Sequence, residues 1–171
     1  MKKNLIAIVL MMIGCLTANA QNDDEYKEIV KAATDMIYDA AHGSISHFNL
    51  LKPEETSLLF MNSQAAEGWA KSLSDKQAFT DVFNNFKSEG INKGIDWNDI
   101  TITDIRYTGD YDSEWGAEEI RGHIYLNSKG KPYRIFFKRC FFLNGKCRMM
   151  LLSSIDQTNE KESDTHTGRN P

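Results

Sequence analysis

Arg121, His123 and Tyr125 alternate along one stretch, so in an extended strand their side chains project from the same side. Arg134, in the next run, falls on that side too if the two runs pair as a hairpin. Guanidinium groups offer planar donors to carboxylates, and a histidine exchanges protons near neutral pH, so such a patch is suited to holding a carboxylate or a sugar. The plainer reading is the outer side of a sheet dressed with long polar side chains.

Three other groups have chemistry within reach. Asp35, Tyr38 and Asp39, with His42 and His47 just beyond, supply the types of an acid and a base near a pocket mouth, although Asp35 and Asp39 read first as exposed helix carboxylates. Asp110-x-Asp112-x-Glu114 resembles the start of a calcium loop, but its sixth position is Trp115 rather than Gly and its twelfth is Arg121 rather than Glu, so it reads as a solvated acidic loop. Cys140 and Cys147 lie on one side of a hairpin. With a two-residue turn they sit diagonally, at roughly 7 to 8 Å, which makes two free buried thiols the default and a disulfide the alternative. No partners for a metal surround them. No G-x-S-x-G, H-E-x-x-H, phosphate-cradling loop or dinucleotide fingerprint occurs, so no catalytic residue, cofactor or metal is assigned.

The stretch that positions these residues runs from Glu118 to Ile155. Two polar turns, Asn127-Ser128-Lys129-Gly130 and Asn144-Gly145, separate three runs rich in β-branched and aromatic residues, the pattern of an antiparallel meander. Taking the first turn as a four-residue loop pairs Leu126 with Lys131, Ile124 with Tyr133, Gly122 with Ile135 and Ile120 with Phe137, and sets Glu119 against Lys138 and His123 against Arg134. The second turn pairs Phe142 with Cys147 and Lys138 with Leu151. One side then carries Ile120, Ile124, Leu126, Tyr133, Ile135, Phe137, Phe141, Met150 and Leu152, a core side. The other mixes Arg121, His123, Tyr125, Arg134, Phe136, Lys138, Phe142, Met149 and Leu151, a mixture that suggests cover by a partner, a ligand or the chain's own tail.

Residues 1–20 have the parts of a secretory signal: Lys2 and Lys3, an apolar run from Leu5 to Ile13, and Ala18-Asn19-Ala20 before Gln21. Export to the periplasm or outside the cell is therefore expected, with a lipoprotein anchored through Cys15 as the alternative. The signal resembles those of exported Bacteroidetes-type proteins. Its removal would leave 151 residues and take away two lysines, moving the net charge from −4 to −6. Nucleic-acid binding needs a basic face, which this balance does not supply. No stretch of the processed chain is long and apolar enough for a transmembrane span.

Upstream of the meander, residues 23–42 carry apolar positions at helical spacing, Pro53 opens a second helix, and a third starts at Ser74, where Ser74 and Gln77 form a capping box, and ends at Gly90. Trp97 anchors a loop, and 99–108 is a further strand in which the apolar phase changes between Ile102 and Ile105, implying a bulge. One α+β domain over 23–156 is expected, with three N-terminal helices packed on one face of a curved antiparallel sheet of about four strands and a disordered polar tail over 157–171. This order resembles the cystatin-like roll of the nuclear-transport-factor-like superfamily. The resemblance implies either a binding or dimerisation module or a cofactor-independent enzyme with its site between helices and sheet, and no signature residue of that superfamily transfers to a position here. The leading expectation is an exported non-catalytic module that binds a small molecule, glycan or peptide, with Arg121, His123, Tyr125 and Arg134 as the ligand-binding candidates. The alternatives are an isomerase- or dehydratase-like enzyme, and a homodimer or envelope scaffold joined through Phe136, Phe142, Met149 and Leu151.

Overall fold

The computed structural model describes residues 21–44, 75–113, 117–148 and 151–158, with isolated residues between 55 and 71. Residues 1–20, most of the second expected helix, Ser74, Glu114, Trp115, Met149, Met150 and the residues after 158 lie outside them. The elements in order are α1 (Gln21–His42), α2 (Lys76–Asn92), β1 (Ile100–Asp112), β2 (Ala117–Ser128), β3 (Lys131–Leu143), β4 (Lys146–Arg148) and β5 (Leu151–Gln157). Among the described residues this is an α+β architecture of two continuous helices and a curved antiparallel sheet of five strands, ordered β1-β2-β3-β4 with β5 also paired to β3.

In α1 the positions Ile29, Ala33, Met36, Ile37 and Ala40 recur at three- and four-residue spacing and are all buried. The helix stops where Gly43 adopts φ +63°: the Gly43 N–H donates to the Ala40 carbonyl and the Ser44 N–H to that of Asp39, a Schellman termination. His42 Nδ1 donates to the Tyr38 carbonyl at 2.8 Å.

The cap of α2 is Asp75 rather than Ser74. Its carboxylate accepts from the Ala78 N–H at 3.1 Å, and Gln77 turns away to bond Asp81 at 2.9 Å, so the capping box does not form. Nor does Gly90 end this helix. It is a buried helical residue over which the Trp97 indole lies so closely that a Cβ would overlap the ring, while the indole N–H donates to the Lys87 carbonyl at 2.9 Å. The helix runs two residues further, and the chain then turns at Gly94 with φ +93°.

The bulge expected in β1 is present: Ile102 faces Leu126 and Asp104 faces Tyr125, leaving Thr103 unpaired. The β2–β3 turn is tighter than expected. Lys129 and Gly130 both take positive φ (+50° and +72°), and Ser128 pairs with Lys131, which makes a two-residue turn whose twist matches that of the strands. From Gly122 to Leu126 every expected partner therefore moves by two residues. Leu126 faces Tyr133, Ile124 faces Ile135, Gly122 faces Phe137 and His123 faces Phe136. A shift of two preserves which side each residue occupies, so the core side stands as expected from Gly122 to Leu126 and from Tyr133 to Phe137. Beyond Arg139 the sides exchange, so that Cys140 joins Ile120 in the core and Phe141, expected beside it, faces Glu119 instead.

A second irregularity follows, since Gly122 faces Phe137 but Ile120 faces Cys140. Arg139, in the extra length of β3, has φ +59°, and its N–H, out of register with the ladder, donates to the Glu119 carboxylate at 2.7 Å. Glu119 is thus not set against Lys138. The Asn144-Gly145 turn behaves as expected, with φ +50° and +72°, Phe142 facing Cys147 and Lys138 facing Leu151. Each bulge adds local twist, and together they curve the sheet.

The inner side of the sheet, with Ile120, Ile124, Leu126, Tyr133, Ile135, Phe137 and Ile155, shares one core with Phe83 and Phe86 of α2 and the apolar stripe of α1. Leu152 packs at its margin. Gly122 belongs to this side because it faces the buried Phe137, and a Cβ there would run into the Arg106 carbonyl and the Tyr107 backbone of β1.

Candidate functional site

Directly paired residues share a side of the sheet, so the register fixes what lies opposite the core. One rung across β1, β2, β3 and β5 is Asp104, Tyr125, Arg134 and Asp156, and the next is Arg106, His123, Phe136 and Ser154. Arg106 Nε donates to the Asp104 carboxylate at 2.7 Å, and its guanidinium carbon stands 4.8 Å from the Tyr125 ring centroid, within cation–π range. The His123 ring lies 5.2 Å from Phe136 and 6.2 Å from Tyr125, both at a 48° tilt. Arg134 Nη2 is 3.8 Å from an Asp156 oxygen. His123, Tyr125, Arg134 and Phe136 are all half-buried.

The His123 pKa is pushed below the usual histidine value, first by burial and then by the Arg134 charge, with Asp156 opposing in part. The imidazole is thereby held neutral near pH 7, with one nitrogen donating and the other accepting.

Three of the four expected site residues, His123, Tyr125 and Arg134, come together. Arg121 does not join them, because its guanidinium turns to Asp110 at 2.5 Å near the far end of the β1–β2 hairpin. In its place the structure adds Arg106, Asp104, Phe136 and Asp156. The two β1 residues follow the bulge, and the side on which they emerge depends on which residue bulges out. Phe136 was assigned to this side by alternation, but with a role in dimerisation or scaffolding rather than in ligand binding.

The helix–sheet interior offers less. Between α1 and the start of β1 lies an apolar crevice of about 20 Å³, lined by Thr34, Ile37, Tyr38, Ala41, Trp97, Ile100 and Ile102, with no carboxylate or imidazole among the lining residues. Asp35 pairs with Lys31 at 2.6 Å, and Tyr38 stacks on His42 at 4.1 Å. Asp39 is not the exposed carboxylate that helix spacing suggested: it is fully buried, and the Ser44 hydroxyl donates to it at 3.3 Å. His47 lies outside the described residues.

Two charged groups were not foreseen as partners. Arg148 Nε reaches both Glu55 oxygens, at 3.1 and 3.0 Å, in an ion pair only about a tenth exposed, which ties Glu55 to β4. Nothing local in the sequence marks it, since the partners are 93 positions apart. The acidic hairpin end is internally paired: Asp110 with Arg121, Asp112 with Arg139 at 3.5 Å, and Glu119 with the Arg139 N–H. Among the described residues no group of His, Cys, Asp or Glu is arranged to hold a metal ion.

Cys140 and Cys147 form a disulfide with Cα atoms 6.1 Å apart, which replaces the default of two free thiols. Phe142 faces Cys147, so the two cysteines stand diagonally as expected, but their Cα atoms approach closer than the roughly 7 to 8 Å of a regular ladder. Among the described residues no helix is long and apolar enough to cross a membrane. No protein family matches this chain, and neither does any characterised protein or solved structure.

Proposed function

We propose that this chain is an exported, non-catalytic binding module whose ligand rests on the outer side of the sheet. The observation that carries the reading is the pair of rungs built from Arg106, His123, Tyr125, Arg134 and Phe136, where aromatic rings and paired arginines lie half-exposed across neighbouring strands. Aromatic faces beside fixed hydrogen-bonding groups are what a small molecule, glycan or peptide needs for orientation. A substrate of the isomerase or dehydratase kind would need a deeper and more polar cavity than the crevice beside Trp97. Export is supported by the form of residues 1–20 and by the Cys140–Cys147 bond, since disulfides persist in oxidising compartments. The order of helices followed by a strand meander supports kinship with the cystatin-like roll.

The reading is tested by amide chemical-shift mapping of the 15N-labelled protein against a fragment set containing sugars, carboxylates and short peptides. Shifts centred on Arg106, His123 and Tyr125 are the expected result. Shifts centred on Trp97 and Ile100 would move the site to the helix–sheet crevice and overturn it.

A further inference from the structure

We infer that the ligand of the outer sheet side is an uncharged oligosaccharide, an inference that rests on the binding role proposed above. The argument starts from charge. The two arginines in the rungs each face a carboxylate, Arg106 with Asp104 at 2.7 Å and Arg134 with Asp156 at 3.8 Å. Within the two rungs two cations meet two anions, so the rungs themselves present no net charge to a ligand. An anionic ligand would have to pull an arginine from its carboxylate and would then face that carboxylate across a few ångströms, and a cationic peptide meets the reverse problem.

A sugar hydroxyl meets neither difficulty. It donates and accepts at once, and the paired guanidinium and carboxylate groups show it donors and acceptors side by side. The neutral imidazole of His123 adds one of each. Tyr125 and Phe136 flank that imidazole, with ring spacings of 6.2 and 5.2 Å, so the apolar faces of successive sugar rings have a row of aromatic surface to lie on. The rings lie half-exposed across neighbouring strands. A single sugar would keep most of its hydration there, whereas a chain crossing the strands contacts several rings at once, which points to internal units of an oligosaccharide.

The test uses two sets of hexasaccharides on the 15N-labelled protein. The neutral set is maltohexaose, cellohexaose, laminarihexaose, xylohexaose and mannohexaose, and the anionic set is hexameric galacturonate and hyaluronan. A neutral member should shift the amides of Arg106, His123, Tyr125 and Phe136, with an affinity that changes less than about twofold between low salt and 0.5 M NaCl, as expected where no ion pair forms with the ligand. Tyr125→Ala should weaken it about tenfold, the factor that corresponds to about 1.4 kcal/mol, Tyr125→Phe should keep most of it, and Tyr111→Ala, at the exposed hairpin end, should leave it unchanged. Binding on this side by the anionic set alone, with strong salt dependence, would overturn the neutral sugar and leave the binding role intact. So would binding there by peptides or carboxylates with no response to either sugar set. Sugar shifts centred on the Trp97 crevice, or no response on the outer side to any of these probes, would overturn both.

Discussion

Phe136 and Phe137 are neighbours in β3 yet belong to two different environments. Phe137 points inward, faces Gly122 and is fully buried among α1, α2 and the strand interiors, whereas Phe136 points outward, faces His123 and stays half-exposed among paired charges. On the inner side each residue is fixed by what it must fill. On the outer side the same strands carry aromatic and charged groups that packing does not require, and that surplus is what makes it the candidate for binding. The sharpest test of the contrast is the pair of alanine variants. Phe137→Ala should lower stability by about 3–5 kcal/mol, as a large buried side chain is lost and a cavity remains, while Phe136→Ala should cost about 1 kcal/mol or less. Urea unfolding of the two variants reads this directly, and equal midpoints would erase the distinction between the sides.

Gly122 tests whether the inner side is constrained by backbone as well as by side chains. A Cβ at this position meets the Arg106 carbonyl and the Tyr107 Cα of β1, atoms that cannot move without shifting the strand. Gly122→Ala should therefore cost about 3 kcal/mol, at the upper end of ordinary overpacking, and should broaden the amides of β1 between Ile105 and Thr108. Gly130→Ala is the contrasting control, because its Cβ would meet no atom within 4 Å and the penalty comes only from φ +72°.

The disulfide extends the inner constraint to the end of the sheet. Cys140 and Cys147 are both buried and lie 7 positions apart. Closing so short a loop in the unfolded chain accounts for about 2.5 kcal/mol in the chain-entropy description. The double variant Cys140→Ala/Cys147→Ala should fall by about that amount in urea. Its chemical shifts on the outer side between His123 and Arg134 should be unchanged, so that loss of the bond separates core stability from the proposed binding surface.

How much of this was legible in the sequence follows the same division. Between Ile120 and Phe137 the inner side was readable because alternation with period two marks the buried strand positions, and a register error of two residues leaves it intact. Beyond Arg139 it was not, because the bulge brought Cys140 inward and turned Phe141 to face Glu119. The register itself was not readable, because it depended on Lys129 accepting a left-handed conformation more often taken by Asn, Asp or Gly. Asp75 took the cap from Ser74 because the two adjacent residues are equally able cap formers and local sequence does not rank them. On the outer side, His123, Tyr125 and Arg134 were found by alternation. Asp104 and Arg106 were hidden behind the Thr103 bulge, and Asp156 fell at the limit of the expected domain. The burial of Asp39 and the Glu55–Arg148 pair depend on tertiary contacts that no local pattern encodes.

The smallest expected effect concerns His123, where the outer side touches folding through protonation. Its folded pKa lies below that of an unfolded histidine because burial and Arg134 both disfavour the imidazolium. The unfolded chain therefore binds a proton more readily than the folded one in the window from about pH 6.5 down to the folded value. The contribution of the neutral ring is complete above that window and is lost as the pH falls through it, after which it changes no further. His123→Gln keeps a neutral polar group there at every pH, so its stability should decline less than that of the parent between pH 7 and 5. Arg134→Gln should raise the pKa of His123 and shrink the same slope, an effect that burial alone would not produce. Should the imidazole titrate by NMR at or above 6.5 in the folded protein, the outer side would be more open than its half-buried rings indicate, and its neutral charge balance would not hold at mildly acidic pH.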